Sequence, residues 1–298
     1  MLRLYLSRTG SFVCFIAFIT QKNGVDKYMK ADLHVHSSYS DGTMSVFEIN
    51  EYAKQKSLDI VAITDHDNLE SSKDIDNLNS DILLLTGVEL STFYNKENIH
   101  ILGYFYNNEI TTDEIKEYLN KLRTNRDKRI HEIIYKLKEF YNIIIEYEDV
   151  TKFADGAIGR VHVAQAISEK YGCSLNEAFD RYIGNNAKAY VPTTNLDTKE
   201  AIELLHRNNA IAVVAHPIHV KNNSVEDIVK LGVDGIEIYY PEHSDKDIKK
   251  YLEIAKKYNL VVTGGSDFHG IPTKADLGTS TICDDNIKKL FNKLNISK

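Results

Sequence analysis

Cysteine is nearly missing from this 298-residue chain: Cys14, Cys173 and Cys283 are far apart, odd in number, and form no Cys-x-x-Cys pair. That pattern excludes a disulfide framework and is what a reduced, cytoplasmic protein carries. Proline is equally scarce, at four residues, and neither a low-complexity tract nor a short-period repeat is present. Solenoid and disordered classes therefore fall away. An excess of basic charge is lacking too. With 36 Lys and Arg against 43 Asp and Glu, the formal net charge is −7, which argues against a general nucleic-acid coat, because such binding relies on cations neutralising phosphates. No stable complex with long nucleic acid is expected. At 43% hydrophobic and 27% charged, the chain can bury a substantial core as one large domain, or one with an insertion.

Long hydrophobic runs are also few. Ser11–Thr20 (SFVCFIAFIT) follows Arg3 and Arg8 in the manner of a signal peptide, but no small-residue cleavage site follows and the run is short for a bilayer. Met29 directly precedes the first patterned strand, so residues 1–28 are expected to be an extension outside the folded domain, with a membrane tether as the lesser alternative. Without that extension no membrane association is expected.

What is present is a set of apolar strands ending in polar residues. The stretch Ala31-Asp32-Leu33-His34-Val35-His36 puts both imidazoles on one face of an extended segment, and Asp41 follows in a Ser- and Gly-rich turn. Ser45–Lys56 has helical spacing, and Leu58–Thr64 is an apolar run that ends in Asp65-His66-Asp67. The pattern recurs at Ile82–Thr86 running into Gly87-Val88-Glu89, and at Ile99–Phe105 with His100 inside. It returns at Ala210–Ala215 before His216, at Gly235–Tyr240 with Glu237, and at Leu260–Thr263 before Asp267 and His269. Seven strands alternating with helices such as Asp197–Arg207, Val225–Leu231 and Asp245–Tyr258 imply a parallel, closed or nearly closed α/β barrel. One region breaks the alternation. Thr111 to about Ala189 reads as helical, with a capping box at Thr111 and Glu114 and a loop at Asp155–Gly159. The expected organisation is barrel at 29–107, a helical insertion at 108–189 that acts as a lid over the strand ends, and barrel again at 190–298.

A parallel barrel gathers its strand ends at one mouth, so His34, His36, Asp41, His66, Glu89, His100, His216, Asp267 and His269 are expected to converge. Imidazole with carboxylate and no cysteine suits Zn2+, Mn2+ or Fe2+, with Mg2+ also admitted. Nine donors exceed the three or four of one catalytic zinc ion, which implies two or three ions, with Glu89 the candidate bridge. Three such ions carry +6 against −3 from Asp41, Glu89 and Asp267, leaving a site suited to phosphate. The chemistry inferred is metal-assisted phosphoester hydrolysis.

The segments His34-Val35-His36-Ser37-Ser38-Tyr39-Ser40-Asp41-Gly42, Thr64-Asp65-His66-Asp67, Gly87-Val88-Glu89, His216-Pro217 and Gly265-Ser266-Asp267-Phe268-His269 closely resemble the polymerase and histidinol phosphatase (PHP) family. The resemblance spans Met29 to about Thr281 and implies a distorted seven-stranded (β/α)7 barrel with a trinuclear site. By matching motifs, it implies that His34, His36, Glu89 and Asp267 hold a first ion, Glu89, His100 and His216 a second, and Asp41, His66 and His269 a third. A metal-bound hydroxide is the implied nucleophile, with His34, His36, Asp41, His66, Asp67, Glu89, Asp267 and His269 as the catalytic set. Asp65, Asp67 and Glu237 are candidates to orient ligands.

Within the family, Gly159-Arg160-Val161-His162 and the insertion resemble the branch of 3′,5′-nucleoside bisphosphate phosphatases and the related 5′-3′ exoribonuclease, although members commonly carry Pro where this chain has Val161. Arg160, His162 and His243 are the candidate substrate contacts. Arg123, Arg126 and Arg129, three residues apart, are expected to lie on a solvated helix face, with a basic stripe for a nucleotide tail as the alternative, and His131, His206 and His219 to be structural. The expected substrate is a nucleotide or short oligonucleotide; histidinol phosphate is the alternative, and a non-catalytic metal-binding module the second alternative.

Overall fold

A computed structural model describes residues 21–22, 25–26, 29–105, 113–153, 158–192 and 196–294. Most of the expected extension, the capping residue Thr111 and loop residues 155–157 lie outside these. A hairpin of β1 (Gln21–Lys22) and β2 (Val25–Asp26) precedes a sheet built from β3 (Lys30–Val35), β4 (Ile60–Ile63), β5 (Leu83–Tyr94), β6 (Glu97–Phe105), β7 (Leu196–Asp197), β8 (Ala210–Val214), β9 (Gly235–Tyr239), β10 (Val261–Gly264) and β11 (Ile282–Cys283). The order is β10-β9-β8-β6-β5-β4-β3-β11, with β7 on β5.

The seven expected strands are the seven main ones, β3 to β6 and β8 to β10. Their directions are not all as expected. β3-β4-β5 and β8-β9-β10 run parallel, whereas β6 is antiparallel to both β5 and β8. The reason is local: β5 continues through Gly87 to Tyr94 and turns into β6 through Asn95 and Lys96 alone, both at positive φ (44° and 68°). Two left-handed residues make a tight hairpin and leave no length for a crossover helix.

The sheet nearly closes on itself. Val35 bridges Phe268 beyond β10, and the His36 N–H donates to the Phe268 carbonyl at 2.9 Å. Glycine permits this approach: a Cβ on Gly265 would lie 2.3 Å from the Cβ of His34. Closure is what sets His34 and His36 beside Asp267 and His269. Between Asp32 and Val35, β3 also carries one more residue than β4 opposite it, a bulge of the kind that re-aims side chains.

Helix α1 (Val46–Gln55) opens with a Ser45–Glu48 capping box and buries Val46, Ile49 and Ala53 against Val61 and Ile63. After α2 (Ser72–Asn77) comes the insertion. It contains α3 (Asp113–Tyr141), α4 (Tyr147–Thr151), α5 (Arg160–Tyr171), α6 (Leu175–Ala178) and a π-helical turn, Phe179–Ile183. The barrel resumes with α7 (Thr198–Arg207), α8 (Val225–Val229), α9 (Asp245–Tyr258) and α10 (Asp284–Lys293). The 29-residue α3 belongs to two cores. Ile115, Leu119 and Leu122 pack with the barrel, while Ile130, Ile133 and Leu137 pack with Val150, Val163 and Ile167 of the insertion.

Candidate metal centre

The Glu89 carboxylate, 1% exposed, is the centre of the mouth. Its Oε2 faces His34 Nε2 and His36 Nε2 at 3.2 Å each and His66 Nδ1 at 3.1 Å; its Oε1 faces His100 Nδ1 at 2.7 Å and His216 Nε2 at 2.9 Å. Glu89 lies mid-strand on β5, and the reversed direction of β6 brings that strand's start, with His100, to the same rim. Asp267 Oδ1 approaches His36 Nε2 (3.1 Å) and His34 Nε2 (3.5 Å), and Asp41 Oδ2 approaches His269 Nε2 (3.3 Å) and His66 Nε2 (3.8 Å).

Three groups have donor atoms close enough to share an ion: His36, Asp41, His66 and His269; His34, His36, Glu89 and Asp267; and His66, Glu89 and His100. The second is the quartet expected for the first ion. The other two differ from expectation: His36 joins the expected trio of Asp41, His66 and His269, and His66 stands with Glu89 and His100 where His216 was expected, so that His66 reaches both. Its two nitrogens point opposite ways, Nδ1 to Glu89 and Nε2 to Asp41. His216 joins none of the three groups, yet it shares Glu89 Oε1 with His100.

Divalent ions fit this donor set on physical grounds. His36 Nε2, His66 Nδ1 and Asp41 Oδ1 are buried, and although a charged neighbour stands 3.1–3.6 Å from each, none makes a well-aligned hydrogen bond, a costly state for polar atoms unless something else satisfies them. Burial opposes charge on His36, but Asp267 and Glu89 raise its pKa to about 10. Burial likewise opposes charge on His34, which Glu237, Glu89 and Asp267 lift well above the usual imidazole value. For His66 burial wins and the value falls to about 4. Glu89 is held well below the carboxylate range against its own burial, by His66, His100 and His34. Lone pairs packed this tightly call for protons or cations between them.

Buried acids brace the loops that carry these donors. Asp65 accepts from the Ser37 N–H and from the hydroxyls of Ser37 and Ser40, which folds residues 36–42 over the site. Asp32 accepts from the Ser266 N–H and hydroxyl and from the Gly278 N–H; burial pushes its pKa up to about 6. Glu237 accepts from the His216 N–H at 2.7 Å and meets His34 Nδ1 at 3.0 Å. Tyr240 donates to Asp267 Oδ2 at 3.2 Å. Asp67, which follows His66, and the donors His216 and Asp267 have positive φ (46°, 25° and 53°), strain of about 1–3 kcal/mol each that surrounding bonds must hold.

Not every expected residue reaches the cluster. Asp67 is in none of the three ion groups; its carboxylate accepts from the Ser91 N–H and pairs with Arg126. Arg160 bonds the Ile183 carbonyl and Asn185 and lies over the Tyr190 ring. His162 Nδ1 accepts from the Gly159 N–H at the start of α5. His243 donates from Nδ1 to the Ile238 carbonyl, and its Nε2 is buried without a partner, away from solvent.

The sequence reading put Arg126 on a solvated face and His219 among the structural histidines. Rather than lying on a solvated face, Arg126 ties α3 to Asp67 and to the Ser91 hydroxyl (2.8 Å), and Arg129 donates to the Val191 carbonyl (2.9 Å). The signal available was the half-apolar periodicity of α3, which places residues 122, 126, 129, 130 and 133 toward a packed side. His219 stands beside His216, with ring centroids 5.0 Å apart, and 3.5 Å from the Tyr240 hydroxyl.

A nearly closed α/β barrel whose mouth collects six imidazoles and three carboxylates defines a metal-dependent hydrolase of the phosphoesterase class. The chain belongs to the PHP domain family, whose model matches residues 32–262. A 5′-3′ exoribonuclease from Haemophilus influenzae is 30% identical over 273 residues, covering 89% of this chain and 98% of that protein. A 3′,5′-nucleoside bisphosphate phosphatase from Chromobacterium violaceum is 25% identical, covering 80% and 86%. The crystal structure of a putative metal-dependent phosphoesterase from Bifidobacterium adolescentis superposes with a TM-score of 0.73 at 26% identity, covering 88% of this chain and 96% of that one. No helix among the described residues is long and apolar enough to cross a membrane.

Proposed function

We propose that this chain removes a terminal phosphate from a nucleotide of the 3′,5′-bisphosphate type or from a short oligonucleotide, in the cytoplasm, with two or three divalent ions held by His34, His36, Asp41, His66, Glu89, His100, His216, Asp267 and His269. The observation that carries the reading is the convergence of five imidazoles on the one buried carboxylate of Glu89. When bound, such ions acidify water and neutralise the charge of a phosphoryl group. The chain's own residues do the rest. Asp65 and Asp32 hold the loops in place, Glu237 and Tyr240 aim His34 and Asp267, and the buried side of the mouth excludes water from His34 and His36. The phosphate approaches from the open side, where the side chains of Asp41 and His100 are 27% and 28% exposed.

A second negative charge on the substrate is favoured by the insertion. Arg129 has its pKa lowered to about 10 by burial and by the neighbouring charges of Arg160 and Arg126. Among the described residues, neither Arg129 nor Arg160 pairs with a carboxylate, so the guanidinium row that begins with Arg126 at Asp67 carries uncompensated positive charge. Such charge suits a second phosphate. It opposes the ammonium group of histidinol phosphate, and the complete donor set disfavours a non-catalytic module. The test is phosphate release by Mn2+-loaded protein from adenosine 3′,5′-bisphosphate, histidinol phosphate and 5′-phosphorylated oligonucleotides of increasing length. The bisphosphate or the shortest oligonucleotide should give the highest kcat/KM; preference for histidinol phosphate would overturn the proposal.

A further inference from the structure

Of the seven main barrel strands, β9 alone sends no donor to the three ion groups or to Glu89. It sends Glu237 instead, fully buried, with its two oxygens on two different neighbours: Oε1 on His34 Nδ1 at 3.0 Å and Oε2 on the His216 backbone N–H at 2.7 Å. His34 belongs to the quartet with His36, Glu89 and Asp267. His216 stands on the other side of Glu89, at Oε1 beside His100. We infer that Glu237 is a positioning residue that fixes the tautomer of His34 and the backbone turn of His216 together, and so couples the filling of two neighbouring ion subsites. The inference rests on the metal-dependent reading above.

The chemistry follows from counting donors. Both groups facing Glu237 are N–H donors when His34 presents its Nε2 lone pair toward Glu89 (3.2 Å) and Asp267 (3.5 Å), and only a carboxylate accepts from both. His216 needs such an anchor because it stands at φ 25° and ψ 66°, a region that is rarely adopted without support. In Glu237→Gln one end becomes an NH2 donor. Either that end meets the His216 N–H, donor against donor, or it faces His34, which must then accept at Nδ1 and carry its proton on Nε2. The proton would then occupy the atom aimed at the ions. An orienting carboxylate behind a ligating imidazole is worth about 10–100-fold in metal affinity, and here one substitution strikes two subsites.

The experiment titrates metal-free wild type, Glu237→Gln and Glu237→Asp with Zn2+ against a competing chelator, and records histidine ring 15N shifts of the Zn2+-loaded wild type. Glu237→Gln is expected to lose about 10–100-fold in affinity at two subsites together, Glu237→Asp to recover part of it, and the wild-type His34 ring to carry its proton on Nδ1. A folded Glu237→Gln protein with unchanged affinity and stoichiometry would overturn the inference. So would a wild-type His34 protonated on Nε2, a result that stands even if the variant does not fold. Wild type that binds no Zn2+ at the cluster would instead sink the metal-dependent reading itself.

Discussion

The barrel mouth and the helical insertion both present charged side chains that the sequence singles out, and the two sets end up in different situations. At the mouth, nine donors from scattered segments meet within hydrogen-bonding or near-bonding distance of one another. In the insertion, Arg160 and His162 serve the local helix ends, while Arg126, assigned to solvent, reaches the rim through Asp67. The difference teaches where sequence carries positional information. A strand end in a barrel has one place to be, and closure fixes it for all strands at once. A helix face has several, and the partner that buries it decides among them.

Removing the centre of the mouth should produce the largest effect. Glu89→Gln keeps the shape but withdraws the charge shared by five imidazoles, and should lower kcat by about 10³-fold, since ion-assisted charge stabilisation is worth several kcal/mol. Metal content by elemental analysis should fall with it. Unchanged turnover would mean that the mouth is no more privileged than the insertion.

Chelation tests the same region through stability. Ions at about 1,000 times their Kd stabilise the folded chain by about 4 kcal/mol, about 10 °C in Tm for a chain of this size. The gap should depend on pH. Without ions, protonated His36 has its pKa raised from 6.5 to about 10, so its stabilisation is complete below pH 6.5 and is lost as pH rises through 10. Ions displace that proton and bind more tightly over the same window. Melting curves with and without chelator should therefore diverge from pH 6.5 to 9.5, and a constant gap would contradict the assignment.

How much was legible follows from the same contrast. The seven main strands and the donor set could be seen because each apolar run ends in, or contains, an unusual polar residue. The reversal of β6 could not, because the Asn95-Lys96 turn lacks the Asn-Gly signature and Gly87 looks like a stop. Once β6 is reversed, the interior position of His100 makes sense, since the start of an antiparallel strand lies where its neighbours end. The bracing role of Asp32 was hidden for another reason: its partners, Ser266 and Gly278, become its neighbours only in three dimensions.

Two arginines sharpen the insertion side of the comparison. Arg126→Ala leaves the buried Asp67 without its ion-pair partner, which should cost about 3 kcal/mol and about 6–10 °C in Tm, with KM rising as α3 loosens at the rim. A solvated helix face would instead give a change within about 0.5 kcal/mol. Arg160→Ala should have the smallest effect and the most specific one. Because Arg160 lies over Tyr190 and bonds Ile183 and Asn185, its loss trims local packing. If the guanidinium row binds a second phosphate, KM for adenosine 3′,5′-bisphosphate should also rise about tenfold with kcat nearly unchanged, as expected when only uniform binding is removed. Adenosine 5′-monophosphate, lacking that second charge, provides the control. A rise in KM confined to the bisphosphate assigns the row to substrate, whereas a lower Tm with equal KM values for both nucleotides would return Arg160 to a structural role and leave recognition to the mouth alone.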